Sequence, residues 1–374
     1  MTTPPVTTRR MSSGPPRDNR LAAAAAMRRS TLGRAATRRE KLVTTLSPRM
    51  SVAPQAVVIV PTRNHADSLD RCLRALCADS SYVAREIVVV DNGSTDNTAD
   101  VVASLASDAP LPVRRVSEPR AGACRARNVG IAESAAPFVL FADDDVTAHD
   151  GWADALVGAL SAAGVVAAGG RVLPAWSGTA PKWLIEGSAL GNAALEDYGT
   201  VSFGCGPERL PFGANLGFRR TALVSFRRPF DERLGHRGRV AMGHEEWHLL
   251  KQLLRTGEVR YEAAAVVDHH VSASRMNYET IQRRMWQLGF GAARSARLLG
   301  EPQPSWPRVA VRTVRVGREA RRLHRKATAG TEISADDACE DFRAHFWWGL
   351  HAEMLTGRFP WLADLLADRV LGRG

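Results

Sequence analysis

The chain has 374 residues, 45% of them hydrophobic and 24% charged, which is the make-up of an ordinary globular protein with length to spare for a core. Its net charge of +11 sits at the ends: residues 1–50 hold 11 Lys/Arg against Asp18 and Glu40, whereas 51–300 carry 27 of each sign, so the body is no basic nucleic-acid-binding domain. Five scattered cysteines with no CxxC pair point to a reducing, cytoplasmic setting, and no apolar run reaches the roughly 20 residues of a membrane helix.

Residues 1–50, rich in Thr, Ser, Pro, Ala and Arg, form a disordered tail with one short helix expected over Leu21–Arg39. The character changes at Ala56. Ala56–Val60 is a short β-branched run closed by Pro61, a buried strand, and Leu69, Leu73 and Leu76 then recur at helical spacing. Ile87–Val90 is expected as strand, Thr95–Leu105 as helix and Pro112–Val116 as strand. Cys124–Glu133 follows as helix, Phe138–Phe141 as strand and Trp152–Leu160 as helix. This alternation predicts an α/β fold: a mostly parallel, Rossmann-like sheet with helices on both faces, whose ligand site lies beyond the carboxyl ends of the strands.

Further on, Val165–Leu173, Asn215–Phe218 and Ala263–Val267 are expected as strands and Glu245–Leu254 as helix. Residues 279–299 carry Ile281, Met285, Leu288 and Ala292 on one helical face. The division expected is a tail over 1–50, a catalytic domain over 51–290 and a C-terminal helical region over 291–374. In that last region Arg308, Arg312, Arg315, Arg318, Arg322 and Arg325 recur with Val309, Val316 and Leu323 between them. Such a basic amphipathic helix is either a solvated face or a peripheral contact with an anionic membrane.

Two acidic clusters fall where a parallel sheet puts its ligand. Asp91-Asn92-Gly93-Ser94-Thr95-Asp96 follows the second strand and Asp143-Asp144-Asp145 the fourth. Three adjacent carboxylates repel and need a cation or hydrogen-bond donors nearby. Alternation along extended chain lets Asp143 and Asp145 face one site while Asp144 turns aside. Hard oxygen ligands favour Mg2+ or Mn2+, which would bridge diphosphate oxygens. Pro61-Thr62-Arg63-Asn64 after the first strand, in place of a GxGxxG, argues against a nicotinamide cofactor.

The strings Val57–Asn64 (VVIVPTRN), Ile87–Asp96 (IVVVDNGSTD), Arg120–Gly130 (RAGACRARNVG) and Phe141–Asp145 (FADDD) resemble, in order and distance, the motifs of family-2 glycosyltransferases. The resemblance implies the glycosyltransferase A-type fold, Mg2+ or Mn2+ dependence, a nucleoside-diphosphate sugar as donor and, in general, inversion at the anomeric carbon. Pro61, Thr62 and Asp91 would then line the nucleoside pocket, with Arg63, Gly122 and Asp144 completing the donor site. Arg127 would lie near the base or diphosphate, Asp143 at the ribose and Asp145 at the metal.

Pro211–Asn215 resembles the loop flanking donor sugar and acceptor, which gives Gly213 and Asn215 acceptor-side places. Gly243–Trp247 stands where relatives often have Glu-Asp, making Glu246 the general base, with Glu245 the alternative because the longer side chain departs from the pattern. A retaining transfer would need no base there. Asp268-His269-His270 follows a strand, so one histidine, His269, would complete the metal shell. The acceptor stays open among glycan, lipid and small molecule, and no specific nucleic acid is expected. The competing readings are a metal-dependent nucleotidyltransferase and a non-catalytic polymer- or RNA-binding protein working through its basic arms.

Overall fold

The computed structural model describes residues 54–359 apart from 84, 187–196, 238–239 and 331; the N-terminal tail, with its helix expected over Leu21–Arg39, lies outside them. Strands β1 (Ala56–Thr62), β2 (Arg85–Asp91), β3 (Val113–Ser117) and β4 (Phe138–Ala142) pair in parallel in the order β3-β2-β1-β4. Helices α1 (Ala66–Ala78), α2 (Thr98–Asp108) and α3 (Ala123–Ala132) connect them. The period-two alternation of a strand sends consecutive residues to opposite faces. Val58 and Val60 pack with Leu69, Leu73 and Leu76 of α1, while Val57 and Ile59 pack with Cys124, Ala126 and Ile131 of α3. This double burial explains the unbroken apolar runs.

Helix α2 begins three residues later than the Thr95 start expected. The intervening residues serve a loop instead: Ser94 N donates to Asp91 Oδ1 at 2.8 Å and Thr95 N to Asn64 Oδ1 at 2.7 Å. Local side-chain acceptors have outcompeted the helix for these backbone donors.

The second half of the sheet is mixed. It holds β5 (Val146–Ala148), β6 (Val165–Trp176), β7 (Phe203–Gly204), β8 (Asn215–Arg219) and β11 (Glu258–Val271). Strand β8 runs antiparallel between β4 and β6, β11 is parallel to β6, and β5 and β7 pair antiparallel with β11. The path is β3-β2-β1-β4-β8-β6-β11-β5. Between these strands lie α4 (Trp152–Ser161), α5 (Lys182–Ile185), α6 (Arg220–Leu223), the short pair β9 (His236–Arg237) and β10 (Val240–Ala241), and α7 (Glu245–Leu253). The strand expected at Ala263–Val267 is the middle of the 14-residue β11.

Three long helices end the described chain: α8 (Tyr278–Leu298), α9 (Trp306–Ala327) and α10 (Ala335–Arg358). The division expected at residue 290 runs through α8, and the described residues on both sides of it belong to one compact unit. Helices α8 and α10 approach backbone to backbone. A Cβ on Gly289 would lie 1.9 Å from Phe346 O, and one on Gly349 1.9 Å from Trp286 O, so only glycine fits at this crossing. Phe342 of α10 meets Tyr278 and Trp183 at ring-centroid distances of 4.9 and 5.7 Å, and joins the main core. In α9, Val309 and Leu323 are buried, while Trp306, Val311 and Val314 are exposed. The apolar residues that suggested a membrane-facing stripe are thus partly spent on packing inside the protein. No described helix is long and apolar enough to cross a membrane.

Candidate active site

The carboxyl ends of β1 and β4 meet at the floor of a cleft of about 520 Å3. Thr62 Oγ1 donates to Asp144 Oδ2 at 2.6 Å, and His65 Nδ1 stands 3.1 Å from the same oxygen. Asp144 is thereby turned toward the β1 loop, while Asp143 meets Arg127 and Asp145 meets His269 and Arg275. The mutual repulsion of the three carboxylates is relieved by handing each to a different set of donors. Pro61, Arg63 and Gly122 also line the cleft.

Arg127, on α3, is the hub of an ion-pair cluster in the cleft. It reaches Glu245 at 2.9 Å and both Glu246 and Asp143 at 3.2 Å, and its guanidinium lies 5.5 Å from the Phe230 ring centroid. Burial works against its charge, yet Glu246, Asp143 and Glu245 together hold it above its ordinary pKa. The resemblance places Arg127 near base or diphosphate; here its N–H groups serve three protein carboxylates.

The two glutamates at the start of α7 differ in access. The Glu245 side chain is 4% exposed and Glu246 16%, and Glu246 presents its carboxylate to the cleft. Burial, reinforced by the Glu245 charge and opposed by Arg127, lifts the Glu246 pKa to about 7. A carboxylate poised there suits proton abstraction near neutral pH. Gly213 makes room for it, since a Cβ at that position would sit 2.3 Å from Glu246 Oε1.

On the far side, His269 of β11 points inward, its Nε2 3.2 Å from Asp145 Oδ1, while His270 points away to Thr147 Oγ1 at 2.7 Å. Burial alone would raise Asp145, but the hydrogen bond and charge from His269 and the charge of Arg275 hold it at about 2. Among the described residues no three His, Cys, Asp or Glu side chains converge as a metal cage. One carboxylate and one imidazole facing a common point, beside the Asp143 carboxylate, nevertheless fit a divalent cation that takes its remaining ligands from diphosphate and water.

Two expected residues stand elsewhere. Asp91 ends β2 with its carboxylate taken by Arg115 at 2.8 Å and by Ser94 N, and its neighbour Asn92 lines the cleft. Asn92 accepts from Gly122 N at 2.7 Å and donates to the carbonyls of Glu118 and Arg120, fixing the loop before α3. Asn215 is fully buried and ties strands together: it accepts from Trp152 Nε1 and donates to Arg171 O and Ala265 O, each at 2.9 Å. Those bonds occupy both amide hydrogens and one lone pair of the amide oxygen.

The cleft also holds residues that the spacing and motifs do not single out. His244 lines it with backbone φ of 65°, and burial lowers its pKa to about 4, so it is neutral at physiological pH. Arg275 and Arg284 line it from the C-terminal side. Arg284 does leave a trace in the sequence: it falls three residues after Ile281 and four before Leu288, on the face read as apolar. A cation on a helix's inward face is the signal of a site.

Residues 57–225 match the family model "Glycosyl transferase family 2". Glycosyltransferase AglE of Haloferax volcanii is 31% identical over 123 residues, which cover 33% of this chain and 40% of that protein. The succinoglycan biosynthesis protein ExoM of Rhizobium meliloti is 24% identical over 203 residues, covering 54% of this chain and 62% of that one. The chain therefore spans less than two-thirds of these relatives' lengths. The mannosyltransferase PcManGT of Pyrobaculum calidifontis, solved with GDP-Man and Mn2+, superposes with a TM-score of 0.52 over 86% of this chain and 90% of its own, at 19% identity. That likeness extends the A-type fold past residue 225. The ordered motifs and the family model agree over residues 57–225, which form a domain similar to the family-2 glycosyltransferases, and the mannosyltransferase shares the fold.

Proposed function

We propose that the protein transfers a sugar from a nucleoside-diphosphate sugar to an acceptor hydroxyl with inversion, and that the transfer depends on a divalent metal. The observation that carries the reading is the pairing, within one cleft, of Glu246 with its pKa near 7 and the Asp143/Asp145/His269 group. Glu246 takes the proton of the acceptor hydroxyl as that oxygen attacks the anomeric carbon. Arg127 and the buried Glu245 hold Glu246 in place, and Gly213 leaves its carboxylate room. Pro61, Thr62, Arg63 and the Asn92–Gly122 corner form the nucleoside side of the cleft. Asp145 and His269 hold the metal, which when bound neutralises the charge of the departing nucleoside diphosphate. Mn2+ in the mannosyltransferase structure supports this assignment. The exposed Val311 and Val314, beside Arg315 and Arg318 on α9, are the face through which the protein would touch an anionic membrane.

Calorimetric titration with UDP, GDP and dTDP, with and without Mn2+, tests the donor site on wild type and Asp145→Ala. Metal-dependent binding of one nucleotide, lost in the variant, is expected; folded protein that binds none of them with metal overturns the reading. Release of nucleoside diphosphate during turnover separates glycosyl transfer from nucleotidyl transfer, which would leave the nucleoside monophosphate in the product.

A further inference from the structure

Two arginines in the cleft wall have no part in the mechanism above. Arg284 projects from α8 into the cleft. Its Nε is buried without a hydrogen-bond partner, and its guanidinium makes no ion pair with any described residue. Burial lowers its pKa and the nearby Arg275 charge adds to that push, with Glu246, Glu245 and Asp143 only partly opposing it. A half-buried guanidinium whose Nε is shielded from water and left unpaired is costly to keep, so its retention points to an anion that the chain itself does not supply. Arg275 is in the opposite condition. Its Nη1 lies 2.6 Å from Asp145 Oδ2 and 3.3 Å from His269 Nε2, between the two side chains assigned to the metal.

We propose that Arg275 and Arg284 form a diphosphate-binding pair, and that Arg275 rests on Asp145 as a stand-in cation that a divalent metal displaces when the donor binds. The inference rests on the donor-site reading above and carries it to residues beyond the 57–225 family match. A guanidinium and a dication cannot share one carboxylate–imidazole pair, because their like charges repel at contact distance. The incoming diphosphate resolves the conflict: it brings oxygens for the metal and gives the released Arg275 an anion, next to Arg284. Charge-assisted hydrogen bonds from guanidinium to phosphate are among the stronger polar contacts. Metal and diphosphate therefore bind well together and poorly apart, a reciprocal coupling between two ligands.

The test uses the full chain as wild type, Arg275→Gln and Arg284→Met. Mn2+ binding is followed by loss of the free-ion electron paramagnetic resonance signal. Calorimetry follows UDP, GDP, their monophosphates and inorganic pyrophosphate. Arg284→Met is expected to weaken diphosphate and pyrophosphate binding roughly tenfold or more, with monophosphates much less affected. Its melting temperature should hold or rise, because a shielded Nε without a partner is gone; a fall would make Arg284 a structural residue and overturn its place in the pair. Arg275→Gln should bind Mn2+ several-fold more tightly than wild type without nucleotide, yet bind diphosphates more weakly. Unchanged or weaker nucleotide-free Mn2+ binding in Arg275→Gln overturns the stand-in role, and wild-type diphosphate affinity in both variants overturns the pair. Should wild type bind no nucleotide but hold pyrophosphate in an Arg284-dependent way, the donor reading fails while the arginine pair stands.

Discussion

The two walls of the cleft are built on different principles. The wall to which we assign the nucleoside comes from β1, β2, α3 and β4, where each contributing residue sits at or just past the end of a parallel strand or at the start of the next helix. Its ties are short motifs held by loop hydrogen bonds, such as Asn92 to Gly122 and Thr62 to Asp144. The wall to which we assign acceptor and metal comes from α7, β11 and the segment leading into α8, and its residues meet partners far off in the chain: Glu245 with Arg127 and Arg275 with Asp145. That the first wall's residues gather at one edge follows from chain direction, whereas the second exists only once β8 has reversed the sheet and β11 has laid His269 beside Asp145. The shifted carboxylates Glu246 and Asp145 meet at the second, where burial and competing charges tune the side chains.

Substitutions can break that contrast. The largest effect is expected for Glu246→Gln, which should lower kcat by about 10²–10⁴ while nucleotide binding stays at its wild-type level; equal losses in both would place Glu246 on the donor side. Arg127→Met leaves three carboxylates without their shared cation, and loss of one partner of a buried ionic network costs about 3–5 kcal/mol. Thermal unfolding should show this as a large fall in melting temperature, together with loss of activity. Gly213→Ala presses a methyl group against Glu246 and displaces its carboxylate, and a displacement of about 1 Å can cost on the order of 10²-fold in rate. Steady-state kinetics should show that loss in kcat, with the fold intact by circular dichroism.

Asn215→Ala separates structure from chemistry. It leaves the Trp152 indole and two backbone carbonyls without partners, at about 1–3 kcal/mol for a buried polar group left unsatisfied. Denaturant unfolding should register that cost while the folded fraction binds nucleotide normally, whereas an acceptor-specific rise in KM would restore the acceptor-side role read from sequence. The mildest probe is pH. The base works deprotonated, so kcat/KM should climb with pH and level off above the Glu246 pKa of about 7. Glu246→Asp, with weaker burial of a shorter side chain, should retain part of the activity and move that midpoint down.

Much of the nucleoside wall is legible in the order of residues alone. Ala56–Val60, Ile87–Val90 and Phe138–Phe141 read as buried strands because burial on both faces demands unbroken apolar runs, and the rule for open sheets locates the acidic clusters. Even there a side-chain direction escapes: Asp91 turns to Arg115 on the neighbouring β3, which no local spacing records. The expected separation of Asp144 from its two neighbours follows from strand alternation, but its partners Thr62 and His65 depend on how the β1 loop comes to rest.

The sequence by itself determined the strand–helix alternation, the order of the family-2 motifs and the pair Glu245/Glu246 at the head of a helix, because these are set by local periodicity and by residues close in the chain. Only tertiary structure decided which glutamate is the more exposed, that Asn215 ties Trp152 to two backbone carbonyls, and that Arg275 lies on Asp145. Each of those outcomes depends on elements far apart in the chain packing to within hydrogen-bond distance, and on the charge balance that such packing creates.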